Sequence, residues 1–157
     1  MTRKIARELA IQLSFAASAS GLAPEAMADE FFTEEHYSTL LSEDAMYIDR
    51  PDEKQLDYIH RLISLIHEHK SELDGYIERY SNGWKVERIS RTAVAVMRCA
   101  LAEILYMDDI PNAAAINEAV ELCKGYDTPD VVALVNGILG GFMRGEMGGE
   151  KPEADGE

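Results

Sequence analysis

Between Ile116 and Leu139 the chain reads INEAVELCKGYDTPDVVALVNGIL, and this stretch constrains the fold more than any other. On both sides of its centre the apolar residues recur at spacings of three and four, the period of one helix face. Between the two runs stand Gly125, Thr128 and Pro129. Gly most cheaply takes the left-handed conformation past a helix end. Thr accepts a hydrogen bond from the first turn of a helix, and Pro at the first helical position lacks only an amide that would have no intrahelical partner. The reading is a helix over 112–124 stopped by Gly125, then a last helix capped by Thr128. Ile116, Ala119, Val120, Cys123, Leu134, Val135 and Ile138 are its expected core.

The same period runs through the rest of the chain. Helices are expected over 3–19, 24–41, 53–70, 71–80 and 90–106, with a loop over 42–51 and Asn112 as the N-cap of the helix it begins. Leu56, Ile59, Ile63 and Ile66 share one face of the third helix. No strand pattern competes, so the class is all-α with about seven helices. Residues 1–143 form the helical domain, with an N-terminal half of about 1–80 and a C-terminal half of about 81–143. The Gly-rich acidic segment 144–157 is expected to be disordered.

With 46% hydrophobic and 28% charged residues among 157, the chain can bury a core of its own. No apolar run approaches the roughly 18 to 20 residues of a membrane span, and no apolar leader opens the sequence, so a cytoplasmic location is expected. Cys99 and Cys123 lack CxxC spacing and lie in apolar helical runs, where buried free thiols are expected. Walker, GxGxxG, HExxH and GxSxG patterns do not occur. His36, His60, His67 and His69 lack ligand spacing, and no catalytic residue, metal or cofactor is expected.

A net charge of −14 argues against a surface that binds polyanions everywhere. The charge is uneven, however. Arg3, Lys4 and Arg7 against Glu8 leave the first twelve residues at +2, so the remainder carries −16. On a helical wheel Ile5, Ala6, Leu9, Leu13, Ala16 and Ala17 form a core arc. Opposite them lie Arg3, Lys4, Arg7, Glu8 and Ser14, with Ile11 and Phe15 among them. Either a neighbouring helix covers these two, or the Phe15 ring stacks an unpaired base while the cations hold phosphates. Arg98 lies within the apolar run VAVMRCALA, where a guanidinium must be paired, reach water or line a cleft. Glu118 and Asp130 are its candidate carboxylate partners.

The blocks TRKIARELAIQLSF, GWKVERISR, MRCALAEILY and IPNAAAINEAVELCKGYDTPDVVALVNGIL occur in this order, and together they resemble the NusB family of bacterial transcription antitermination factors. The resemblance implies two packed helical subdomains without catalytic activity. It also implies a heterodimer with a NusE-like small-subunit ribosomal protein, binding of single-stranded boxA-type RNA in ribosomal RNA transcripts, and action within the transcription elongation complex. By the same likeness Arg3, Lys4 and Arg7 match a basic RNA-binding arm, and Phe15 an aromatic position beside it. Arg98 matches a basic residue of an L-R-x-A motif, Asp130 an acidic position bordering the RNA surface, and Tyr80 an aromatic on the partner-facing side.

The chain departs from the family pattern at several positions. Ile5 replaces a third basic residue of the arm, Ala93 and Val94 replace an Asp-Arg pair, and Val131, Ala133 and Leu134 stand where Ser, Lys and Phe are frequent. Each lost phosphate contact weakens RNA binding and shallows its salt dependence. Two further readings stay open: an acidic interaction module that binds a basic ribosomal protein with weak or lost RNA binding, and a homodimer that covers the RNA face.

Overall fold

The computed structural model describes residues 2–32 and 51–148, and every regular element among them is helical. They form α1 (Arg3–Ser20), α2 (Pro24–Phe31), α3 (Glu53–Glu68), α4 (Lys70–Arg79), α5 (Arg91–Tyr106), α6 (Asn112–Tyr126) and α7 (Pro129–Glu146), with a short 3-10 turn at Val86–Arg88. The all-α class expected from the periodicity is the class observed. The end of the second expected helix, most of the 42–51 loop and residues 149–157 lie outside the described residues. The chain divides into two compact units between Glu68 and His69, so α4 belongs to the second unit.

In the first unit, local chemistry sets where each helix begins and ends. The Thr2 hydroxyl accepts from the Ile5 amide at 3.1 Å, satisfying one of the amides left over in the first turn of α1. Gly21 closes α1 in the left-handed conformation at φ 78°, where a Cβ would be strained. Asp52 and Gln55 cap α3 reciprocally: the Gln55 amide donates to Asp52 Oδ1 at 2.8 Å, and the Asp52 amide to Gln55 Oε1 at 2.9 Å. α1 packs along α3, and α2 packs on both. Ala6, Ala10 and Ala17, buried with Leu9 and Leu13, leave room for close approach to the face of Tyr58, Ile59, Leu62, Ile63 and Ile66. Leu56, expected on that face, is only half-buried. Ser64 of α3 donates to the Glu25 carboxylate of α2 at 3.0 Å.

The second unit is built around α5, which packs against α4, α6 and α7. Val96, Met97 and Leu101 are fully buried, and so is the carboxylate-bearing Glu103. α6 and α7 pack together and are joined at 127–128. The Thr128 hydroxyl caps α7 by accepting from the Val131 amide at 3.4 Å, with Pro129 in its first turn. Of the core positions expected here, Ala119, Cys123, Val135 and Ile138 are buried, whereas Ile116, Val120 and Leu134 are half-buried.

Three expected boundaries are corrected. Gly125 does not stop α6, which runs on to Tyr126 and is capped by extended Asp127. The reason is tertiary: the Ser90 hydroxyl, which caps α5, lies 3.0 and 3.2 Å from the two Asp127 carboxylate oxygens and fixes the chain there. Asn112 is the first residue of α6, preceded by Pro111 as N-cap, and is itself buried. α7 continues past Arg144 to Glu146 because its last turn is anchored from the end of α4.

That anchor is centred on Tyr80. Its ring lies against Gly141 and Gly145, one turn apart on α7; a Cβ on Gly145 would come within 2.8 Å of ring carbons, and one on Gly141 within 3.2 Å. The Tyr80 hydroxyl donates to Glu146 Oε2 at 2.6 Å, and the Arg79 guanidinium pairs with the same carboxylate. Phe142, fully buried, meets the rings of Tyr76 and Tyr80 edge-on at 5.0 and 6.3 Å.

The Tyr80 hydrogen bond, followed by the Arg79 pair, holds the Glu146 carboxyl below its ordinary value. A carboxyl whose folded pKa is depressed contributes stability above its unfolded pKa, and that contribution is lost as pH falls through the folded value. Between about pH 5 and about pH 3 the melting temperature of the native protein is therefore expected to fall more steeply than that of Glu146→Gln. Parallel pH dependences would show that this carboxylate does not hold α7.

Candidate nucleic-acid interface

The expected basic arm is the first two turns of α1. Arg3 and Lys4 are exposed there, at a helix N-terminus whose unpaired amides add positive potential. Arg7, one turn on, is only 4% exposed, so it is not the open surface cation that the wheel suggests. Near it lies Tyr58, a residue of another helix that the wheel of α1 does not show. The Arg3 guanidinium carbon lies 4.3 Å from the centroid of the Tyr58 ring, and that of Arg7 lies 5.8 Å from it. Both separations are within cation–π range. Tyr58 itself is 2% exposed, so α3 presents a buried ring to two cations spaced i,i+4 on α1.

The two apolar residues of the basic arc separate. Ile11 is buried, as expected of a residue covered by a neighbouring helix, whereas Phe15 keeps 38% of its surface exposed. An exposed ring two turns beyond Arg7 can stack a base, because every base offers a π face regardless of sequence. Ile5, at the position of the absent third cation, is half-buried.

The remaining expected residues lie in the second unit. Arg98 is not paired with Glu118 or Asp130. Its Nε donates to Asp74 Oδ1 at 2.7 Å and its Nη2 to Asp74 Oδ2 at 2.9 Å. The planar fork thus matches both oxygens of one carboxylate from α4, with side-chain exposures of 15% and 19%. A structural ion pair is one of the ways an apolar helix can carry a guanidinium, and two of the five N–H groups are engaged in this one. Asp130 is exposed in the first turn of α7, where the helix dipole favours a carboxylate. Beside it Ala133 is exposed and Val131 and Leu134 are half-buried, so this end of α7 offers neither a cation nor an aromatic ring at those positions. Tyr80, expected to face a partner, has its hydroxyl turned to Glu146 and its ring to the α7 glycines.

Both cysteines are free and buried. Burial first, and then the nearby Asp127 carboxylate, push the Cys123 thiol up to about 11. Among the described residues no three His, Cys, Asp or Glu side chains gather as a metal site, and no helix is long and apolar enough to cross a membrane.

Comparison with known proteins bears on this geometry. The model of the NusB family matches residues 4–144. The transcription antitermination protein NusB of Symbiobacterium thermophilum is 36% identical over 148 residues, which cover 94% of this chain and 93% of that protein. That of Alkaliphilus oremlandii is 34% identical over 146 residues, covering 93% and 96%. Among solved structures, T. maritima NusB superposes with a TM-score of 0.71 at 28% identity over 88% of each chain.

Proposed function

From a chain that belongs to the NusB family, and is thereby a transcription antitermination factor, we propose that it binds single-stranded boxA-type RNA together with a NusE-like ribosomal protein. The observation that carries this reading is the outer surface of α1. Two exposed cations, Arg3 and Lys4, stand at a positive helix end, and the exposed Phe15 ring follows on the same helix. Cations that track a backbone, combined with a ring that stacks bases, are what recognition of an unpaired strand requires. The task is binding, and no catalytic group takes part.

Burial divides the roles of the arm. Arg3 and Lys4 hold phosphates. Arg7, at 4% exposure, contributes charge and packing from beneath. The Arg98 fork, engaged by Asp74, supports the second unit before it supports RNA.

Binding of a boxA oligonucleotide with and without the NusE-like protein tests this reading. Arg3→Ala is expected to weaken binding and to lower the slope of log K against log salt by about 0.7 to 1 in magnitude, the value of one phosphate contact. An unchanged slope would remove Arg3 from the interface, and no binding of folded protein at low salt would end the RNA reading. If the ribosomal protein is recovered after RNase treatment while RNA binding is absent, the alternative reading is selected, an acidic interaction module whose −16 charge outside the arm complements a basic partner.

A further inference from the structure

The geometry points to Tyr58 as a positioning residue for RNA: its ring holds the Arg3 guanidinium stacked and oriented before RNA arrives. This inference rests on the reading of α1 as an RNA-binding surface and adds to it a residue on another helix that touches no nucleotide.

Three observations combine. First, the ring is fixed. Tyr58 is 2% exposed and sits on the face of α3 that packs against α1, so it cannot follow a mobile side chain and instead sets where that side chain rests. Second, the stack uses a different part of Arg3 from the part that RNA needs. A guanidinium meets an aromatic ring through its flat face, whereas its five N–H groups point outward in its own plane. With the carbon 4.3 Å from the ring centroid and the residue exposed, Arg3 can stack on Tyr58 and donate to a phosphate at once. Third, Arg3 is the first residue of α1, where an unsupported long side chain samples many rotamers. Ordering such a side chain at an interface costs conformational entropy, and a stack already present in the free protein removes part of that cost. Arg7, 5.8 Å from the same ring and nearly buried, keeps a second positive charge beneath the first.

Positioning and charge predict different salt behaviour. Removing Arg3 removes a phosphate contact and changes the salt slope. Removing the ring leaves the number of charges unaltered, so affinity falls equally at every salt concentration.

The test measures boxA-type RNA binding, with the NusE-like protein present, across a salt series for the native protein, Tyr58→Phe, Tyr58→Leu, Arg3→Ala and the Arg3→Ala/Tyr58→Leu double variant. NMR of the Arg3 side chain in the absence of RNA accompanies it. The Arg3 δ protons are expected to be shifted upfield by the ring in the native protein and in Tyr58→Phe. Tyr58→Phe is expected to bind within about twofold of the native protein, and Tyr58→Leu about three- to fivefold more weakly with an unchanged slope, the range of an exposed cation–π contact. Most of that loss is expected to vanish when Arg3 is already Ala.

Unshifted Arg3 protons in the native protein would overturn the inference, and this measurement decides even if the Leu variant does not fold. Tyr58→Leu binding as tightly as the native protein would overturn it too, as would a loss undiminished in the Arg3→Ala background. In each of those cases the native protein still binds RNA. Failure of the native protein to bind at all removes the RNA reading, and this inference with it, even where the ring shift is present.

Discussion

Phe142→Ala is expected to destabilise the second unit by about 3–5 kcal/mol, the cost of deleting a large aromatic side chain from a packed interior. Phe142 is fully buried on α7 and meets two rings from the α4 side, Tyr76 and Tyr80, edge-on. Part of the loss is the transfer of the ring itself. Part is the cavity left between helices that cannot fully close, and part is the edge-to-face contacts, worth about 0.5–1.5 kcal/mol each beyond burial. Urea unfolding followed through far-ultraviolet circular dichroism measures it. A lower midpoint with an unchanged denaturant slope is expected. A loss under about 1 kcal/mol would mean that these rings do not clamp α7 to α4.

Asp74→Ala is expected to cost about 2–3 kcal/mol. Its removal strands the Arg98 guanidinium in an apolar helix without the one carboxylate whose two oxygens accept from it. Stranding one member of a fully buried pair costs about 3–5 kcal/mol. The residual exposures of 15% and 19% let water reach the remaining charge and reduce that figure. Replacing both residues, with Asp74→Ala and Arg98→Met together, is expected to recover most of the stability, because no unpaired charge then remains. The same pair of variants sorts structure from recognition. If Arg98 touches RNA, Asp74→Ala frees its fork and leaves that contact in place while Arg98→Met abolishes it. If Arg98 serves the fold, both variants alter RNA binding only as far as they unfold the protein.

Features that depend on near neighbours along the chain are legible in the sequence. The helical class, the Thr128–Pro129 start of α7 and the Gly21 stop of α1 follow from periodicity and capping, and each is present. Local signals mislead where a distant residue decides. Gly125 carries the signature of a helix end, but Ser90, thirty-seven positions before Asp127, sets that end instead. The apolar run around Arg98 shows that this cation needs a partner. The partner is twenty-four residues away on α4, and spacing alone does not single it out from other carboxylates. Tyr58 escapes the sequence for a similar reason. It sits one residue before Ile59 on the core side of α3, and only the packing of α1 against α3 shows that its ring faces Arg3 and Arg7. An i,i+4 pair of arginines bordering a core face, opposite a helix with an aromatic residue, is the sequence signal that points to such a stack.

The two buried thiols have a practical consequence. Cys99 and Cys123 are both closed to solvent, and Cys123 at neutral pH is almost entirely in its unreactive protonated form. A thiol reagent therefore reacts with them only in moments when the helices around α5 and α6 part. The rate of labelling then counts those openings in the unaltered protein, without an introduced dye or a changed residue. Two natural clocks, one on each helix, can time how often the second unit breathes and whether an added ligand quiets it.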